Sequence, residues 1–544
     1  MKMARRMRTR ARAPCAILAT TLAVALTLGR HEPARSDDAA APSAAFLFPS
    51  TRGLSKLPNP LEAVAPRAGR VDGKPGSDEA ASAANLGKNI IGAGVLALPA
   101  GAAGVTASAE AAGVGHSETI AALVGMFLVF GALNATGFYL IGEVCARTGA
   151  KSYQEAWSRT LGASSAWVPS AASVVCCLTG TVACAAVIGG TATDLVSTVT
   201  GAHLGALTHD ALLFGVAGTV LLPLCLLPSL APLAFASVLG LMGVCLLMAV
   251  MVFRCADGSY LPGGEFHDAM AWAASAAEAA GADAAGPSMP IRGVVSSGLL
   301  FAAVLSNAFS AHYNAPLLYS ELRGPESPAG ASEPLEDERA KQDAKLGSFH
   351  KITNQAFAFA CVLCMVVALA GLQTFGTAAQ PLILDNYALG DSMAFVARAG
   401  LGLCVLFEFP LLERCFRTTT AELLGAPEAA SHPAAVAASV LLAVVIACLP
   451  GLEFDTVSAV GGALGSSFLT YVAPALMALQ LRAQTQSRSE AGAEEADALE
   501  AAVEPRRSED SPRSLEALAL QALAVFGVAV GGLGVAQAAG FSVP

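Results

Sequence analysis

The stretch Ala83–Gly104, AANLGKNIIGAGVLALPAGAAG, is apolar enough to be a membrane helix, yet it contains Lys88, Gly92, Gly94 and Pro99. A plain lipid-crossing helix has no use for a charge or for helix breakers. Gly92, Gly94 and Pro99 together predict a break near mid-membrane. Non-helical backbone persists there only where it is buried in protein or lines a watery cavity. Such a break frees N–H groups on one half-helix and carbonyls on the other, which can hold a carboxylate and a cation respectively. Close helix packing through small residues is the competing explanation.

The rest of the chain has the composition of a membrane protein. It is 544 residues long, 54% hydrophobic and only 14% charged, with a mean hydropathy of +0.57; a soluble globule carries about 25% charged residues. The net charge of −10 says little, because the acids sit mostly in loops. Apolar runs of bilayer length, about 20 residues, fall near 83–110, 117–141, 166–193, 208–229, 231–253, 292–320, 350–375, 391–412, 434–450, 455–480 and 513–537, which predicts eleven spans. With the N-terminus inside, the inner loops collect Arg147, Lys151 and Arg159, then a run from Arg323 to Lys351, then Arg414 and Arg417, then a run from Arg482 to Arg513. The outer loops hold only Arg254 and Arg292. The positive-inside rule predicts this asymmetry, and one span more or fewer would spoil it.

Residues 1–80 stand apart. A basic start, MKMARRMRTRARAP, precedes the apolar run CAILATTLAVALTLG and a basic Ala-, Ser- and Pro-rich stretch. That order reads as a signal sequence followed by a transit-like region, and SAAFLFP resembles the Phe-containing cleavage motif of bipartite plastid leaders. A disordered tail with one extra anchor helix is the alternative. The expected division is a leader over 1–80, a core of spans one to ten over 81–480, a disordered cytoplasmic loop over 481–512, and the last span with a short C-terminus over 513–544. The destination is then a plastid or other endomembrane, or else the plasma or vacuolar membrane. Most of the thirteen Cys lie within apolar runs, where they serve as small packing residues; no zinc-ligand spacing has flanking polar ligands, and Cys361-x-x-Cys364 lies inside an apolar helix. No catalytic constellation or nucleotide-binding loop is recognisable, so an enzyme is not expected.

The sixth span, SSGLLFAAVLSNAFSAHYNAPLLYSEL, is interrupted like the first: Ser306, Asn307, Ser310, His312, Tyr313 and Asn314 cluster mid-span and Pro316 follows. In a five-helix inverted repeat, span six is the partner of span one, and interruptions at corresponding positions point to the binding site. Five blocks also carry a resemblance. They are NLGKNIIGAGVLALPAG, CARTGAKSYQEAWSRTLG, FSAHYNAPLLYSEL, HKITNQAFAFACVLCMVVALAGLQTFG and VGGALGSSFLTYVAPALMAL. In this order, between about residues 83 and 480, they resemble the amino acid/auxin permease family. The resemblance implies an all-α polytopic fold of eleven helices, with a leucine-transporter-like core of two five-helix inverted repeats broken at helices 1 and 6. It implies amino-acid transport coupled to protons or sodium, with the lipid bilayer and the substrate as partners and no nucleic acid or cofactor. It places the substrate carboxylate on amides around Gly92, Ala93 and Gly94. The amino group would meet carbonyls near Val95 and the stretch from Asn307 to Ser310, with Phe309 shaping a pocket for a neutral side chain.

Lys88 is the first departure from a sodium site. Asn85, Lys88 and Gly92 share one helix face, which directs Lys88 toward the broken segment. Sodium-coupled members of the family carry an Asn where Lys88 stands and a Thr in the eighth helix, where this chain offers Leu403, Leu406 or Glu408. An ammonium there would repel sodium, and proton-coupled members carry a Lys at this position. Glu408 lies about five residues from the inner end expected for span eight, roughly 8 Å deep. Ionisable groups at depth cost about 2.5–3.5 kcal/mol unless paired or wet. Lys88 and Glu408 are therefore expected to interact, with protonation of one linked to opening; snorkelling of both to the inner headgroups is the alternative. His312 is a second candidate proton site, a hydrogen-bonded packing histidine being its alternative. Arg398 is expected to anchor span eight at the outer interface. The whole reads as a proton-coupled transporter of neutral amino acids; a sodium-coupled or auxin-like permease, and a non-transporting amino-acid sensor, are the rivals.

Overall fold

The computed structural model describes residues 79–201, 206–227, 234–267, 290–322, 335–450, 454–497 and 512–538, and these are helical almost throughout. The protein is an all-α, multi-pass integral membrane protein. The leader expected over 1–80 lies outside the described residues except for Glu79 and Ala80, which open the first helix.

Among the described residues nine helices are long and apolar enough to cross a membrane, not eleven. The two shortfalls have different causes. Span one is divided into helices Glu79–Ile90 and Leu98–Ala111, joined by an extended Gly92 and a 3-10 turn, Ala93–Ala97. Neither half reaches across a bilayer alone. Span nine, Pro433–Ala447, has 15 residues, about 22 Å against a hydrocarbon core of about 30 Å. The other nine spans are two (His116–Thr148), three (Trp167–Thr200), four (Ala206–Cys225, with a π turn at Ala217–Leu221), five (Ala234–Asp257), six (Pro290–Glu321, interrupted), seven (Leu335–Phe375), eight (Ser392–Leu423), ten (Phe454–Asp497) and eleven (Pro512–Ala538). Span ten continues as helix to Asp497. The described part of the loop expected to be disordered, 481–497, is therefore helical; 498–511 lie outside the described residues.

The two broken spans are built alike. Span six runs as helix from Pro290 to Ala308, loses the α pattern over Phe309–Ala311, and resumes through a 3-10 turn, His312–Asn314, into Ala315–Glu321. After each break the new helix has proline in its first turn, Pro99 in one and Pro316 in the other. There the missing N–H is lost without penalty. These prolines start half-helices; the breaks themselves lie upstream of them.

Spans one and six, two and seven, three and eight, and four and nine pack as pairs, each member five spans from its partner. Small residues permit the close crossings, as is usual where lipid supplies no hydrophobic drive between helices. Spans five and eight cross where Gly400 meets Gly243, and a Cβ on Gly400 would sit 3.2 Å from the Gly243 Cα. A Cβ on Gly402 would lie 2.8 Å from the Thr191 methyl of span three. On span ten, a Cβ on Gly462 would overlap the Ala303 carbonyl oxygen of span six. Because the obstacle is backbone, Gly462→Ala is expected to destabilise the protein by about 1–3 kcal/mol, the usual range for overpacking. Thermal unfolding in detergent measures it.

The outer end of span eight is held by charge. Asp391 caps the helix by accepting from the Met393 and Ala394 N–H groups. It also accepts from Arg254 Nε and Nη2 at 2.8 and 2.6 Å and from the Tyr260 hydroxyl at 3.0 Å. Burial alone would raise its carboxyl, but the bonds from Arg254, Tyr260 and Ala394 hold it below the ordinary range.

Candidate functional site

The breaks in spans one and six meet around a small cavity of about 50 Å³. Its wall includes Asn89, Gly92, Ala93 and Gly94 from span one, Asn307, Ser310 and Tyr313 from span six, Cys176, Gly180 and Cys184 from span three, and Glu408 from span eight. That volume accommodates a few water molecules and lies far below the roughly 300–1,000 Å³ of drug-sized pockets. The arrangement suits a small polar solute. A second, more apolar cavity of about 350 Å³ lies beside it, between the later half of span one, the earlier half of span six, and span ten.

Glycine is needed at the break for closeness. Gly92 has φ −111°, which any residue can adopt, but a Cβ there would overlap Glu408 Oε1. The Glu408 carboxylate therefore lies directly against the unwound backbone, where it accepts the Ala93 N–H. Its other oxygen, Oε2, is buried without a hydrogen-bond partner. Gly94 serves the second contact: a Cβ there would sit 3.3 Å from the Ala308 Cα, so the two breaks nearly touch.

Lys88 is 5% exposed, in the last turn before the break, and it interacts electrostatically with Glu408. Span eight continues to Leu423, so Glu408 lies near its middle, roughly 23 Å from either end. The inner end expected at 412 marks only where the helix becomes polar. Arg398 is also placed differently from the expectation of an interface anchor. It is 1% exposed, pairs with Asp194 of span three at 2.9 Å, and donates to the Leu384 and Tyr387 carbonyls at 2.9 and 2.6 Å. Thus it binds the loop before span eight to the bundle.

Of the residues singled out from sequence, Gly92, Ala93, Gly94, Asn307, Ser310 and Glu408 converge on the cavity. Val95 and Phe309 are fully buried behind it and do not line it. His312 lies apart, in a knot tying spans two, six and ten. Its Nε2 donates to the Asn134 carbonyl at 3.0 Å, and its Nδ1 accepts from the Thr470 hydroxyl at 3.1 Å. Phe138 and Phe357 enclose the ring. In this tautomer both ring nitrogens have protein partners. Ser466 was not legible as a site residue: it sits in a π turn of span ten, Gly461–Ser466, and donates to Asn307 Oδ1 at 3.4 Å. Cys176 bridges Ser310 and Ser466 at 3.5 Å each, so spans three, six and ten share one polar seam beside the cavity. Among the described residues no cluster of three or more His, Cys, Asp or Glu has metal-binding geometry.

No curated protein matches this chain. Among solved structures, a mutant manganese transporter from Eremococcus coleocola is similar over 84% of this chain and 94% of its own, with 12% identity and a TM-score of 0.42. Residues 334–495, which hold spans seven to ten, match the family model described as transmembrane amino acid transporter protein; the C-terminal region of this chain is thus a match to that family.

Proposed function

We propose that the protein is a secondary active transporter that carries a small neutral amino acid together with a proton, by alternating access around the breaks in spans one and six. The observation that carries this reading is the meeting of two broken helices at a small cavity that includes the carboxylate of Glu408, with the buried Lys88 as its counter-charge. The unwound backbone at Gly92, Ala93 and Gly94, where the Ala93 N–H already meets a carboxylate, suits the substrate carboxylate, and Asn307 Oδ1 and Ser310 suit an ammonium. Val95 and Phe309 support the wall. The five-span spacing of the packed pairs and the matched prolines favour a five-plus-five inverted repeat. Lys88 favours protons over sodium, because an ammonium beside the site opposes a second cation, and Glu408 is the group that exchanges the proton.

The test is uptake of radiolabelled neutral amino acids into proteoliposomes, with a pH gradient or a sodium gradient imposed separately. A pH gradient alone is expected to drive accumulation, and Lys88→Asn to abolish that drive. Uptake driven only by sodium would refute the proton reading. Binding without flux would favour a sensor.

A further inference from the structure

We propose that the Glu408 carboxylate occupies the subsite of the substrate carboxylate, so that substrate loads only as a proton is placed on Glu408. This inference rests on the amino-acid reading above and specifies how the proton is coupled.

The break in span one can receive a carboxylate because its unwound backbone lines the cavity, and the structure holds one there: Glu408 accepts the Ala93 N–H. The fit is close, since Gly92 leaves room for the carboxylate and for no side chain of its own. The second oxygen, Oε2, is buried and unpartnered in a residue that lines the cavity. An incoming amino-acid carboxylate seeking the same amide would meet it at contact distance. Two carboxylates so close cannot both stay ionised; they share one proton. The charged and titratable groups facing Glu408 are Lys88 of span one, Cys184 of span three, Tyr313 of span six and Cys404 of its own span. Lys88 is the one cation among them, and it already balances the single carboxylate.

The exchange is balanced in atoms and charge. A proton from the loading side binds Glu408, and the bond from the Ala93 N–H to Glu408 breaks. That N–H then donates to the substrate carboxylate, and the Glu408 hydroxyl donates to the same anion. The zwitterion adds no net charge, so each cycle carries one positive charge. Release on the far side runs the steps backwards, with Glu408 reclaiming the amide.

The test compares alanine with alaninamide, which has the same amine and methyl group but no carboxylate, at pH values where the amine stays protonated. Affinity is measured on the purified full-length protein by competition. Alanine affinity is expected to fall about tenfold per pH unit above the titration of Glu408, while alaninamide affinity stays flat. In Glu408→Gln the alanine slope is expected to disappear, together with accumulation driven by a pH gradient. Equal slopes for alanine and alaninamide, or a slope that survives in Glu408→Gln, would overturn the proposal and leave the amino-acid reading standing. A wild type that binds no amino acid overturns both. Should Glu408→Gln fail to fold, the comparison of the two ligands on the wild type decides alone.

Discussion

Gly92→Ala is expected to reduce uptake driven by a pH gradient to below a tenth of wild type, by uncoupling the proton from substrate loading, while the protein remains folded. The added methyl lands on Glu408 Oε1, the movable tip of a side chain, so the backbone need not shift. The carboxylate is forced off the Ala93 amide instead, and a hydrogen bond to a charged group is lost. That loss is about 1.5–3 kcal/mol, or roughly 10- to 150-fold in the equilibrium it controls. Uptake assays paired with thermal unfolding separate the two effects: a large fall in rate with a melting temperature near wild type is the expected pattern. A strongly lowered melting temperature would instead mean that Gly92 is needed for packing alone. Gly104, which has open space around its Cα, is the control position for the same substitution.

Arg398→Met is expected to fail in the opposite way, through stability. It removes the partner of Asp194 and leaves the Leu384 and Tyr387 carbonyls without their donor. Breaking a buried pair from one side costs about 3–5 kcal/mol. The Asp194 side chain is 25% exposed, and water reaching it places the expected loss near the lower figure. The double variant Asp194→Asn, Arg398→Met should recover part of it, because no uncompensated charge then remains. If Arg398 were an interface anchor, the single variant would melt close to wild type and the cycle would show no coupling.

Much of this arrangement was legible in the sequence because membrane insertion imposes few and strong rules. A charge and two glycines within an apolar run marked the break in span one, and a polar cluster before Pro316 marked the one in span six. The same logic picked out Lys88 and Glu408 as groups needing a partner. What could not be read falls into two kinds. Hydropathy reports where a helix leaves lipid, not where it ends: the polar tail of span eight, ERCFRTTTAEL, hid a continuation that puts Glu408 at mid-helix. Partners distant in sequence were equally hidden. Nothing near Arg398 announces Asp194, and nothing near Asn307 announces Ser466, which is brought to it by a π turn with no pattern of its own. His312 was open to two readings, a proton site or a packing histidine, and nothing near it in sequence announced Asn134 and Thr470, the partners of its two nitrogens.

The bond between Ala93 and Glu408 crosses from one body of helices to another. Span eight is packed on spans three and five through glycine contacts and pinned at its end by Arg254 and Arg398. Span one, beyond its break, is packed on spans six and seven. If the second body rocks against the first, this one hydrogen bond acts as a clutch: engaged, it locks the two together, and a proton on the carboxylate lets them slip.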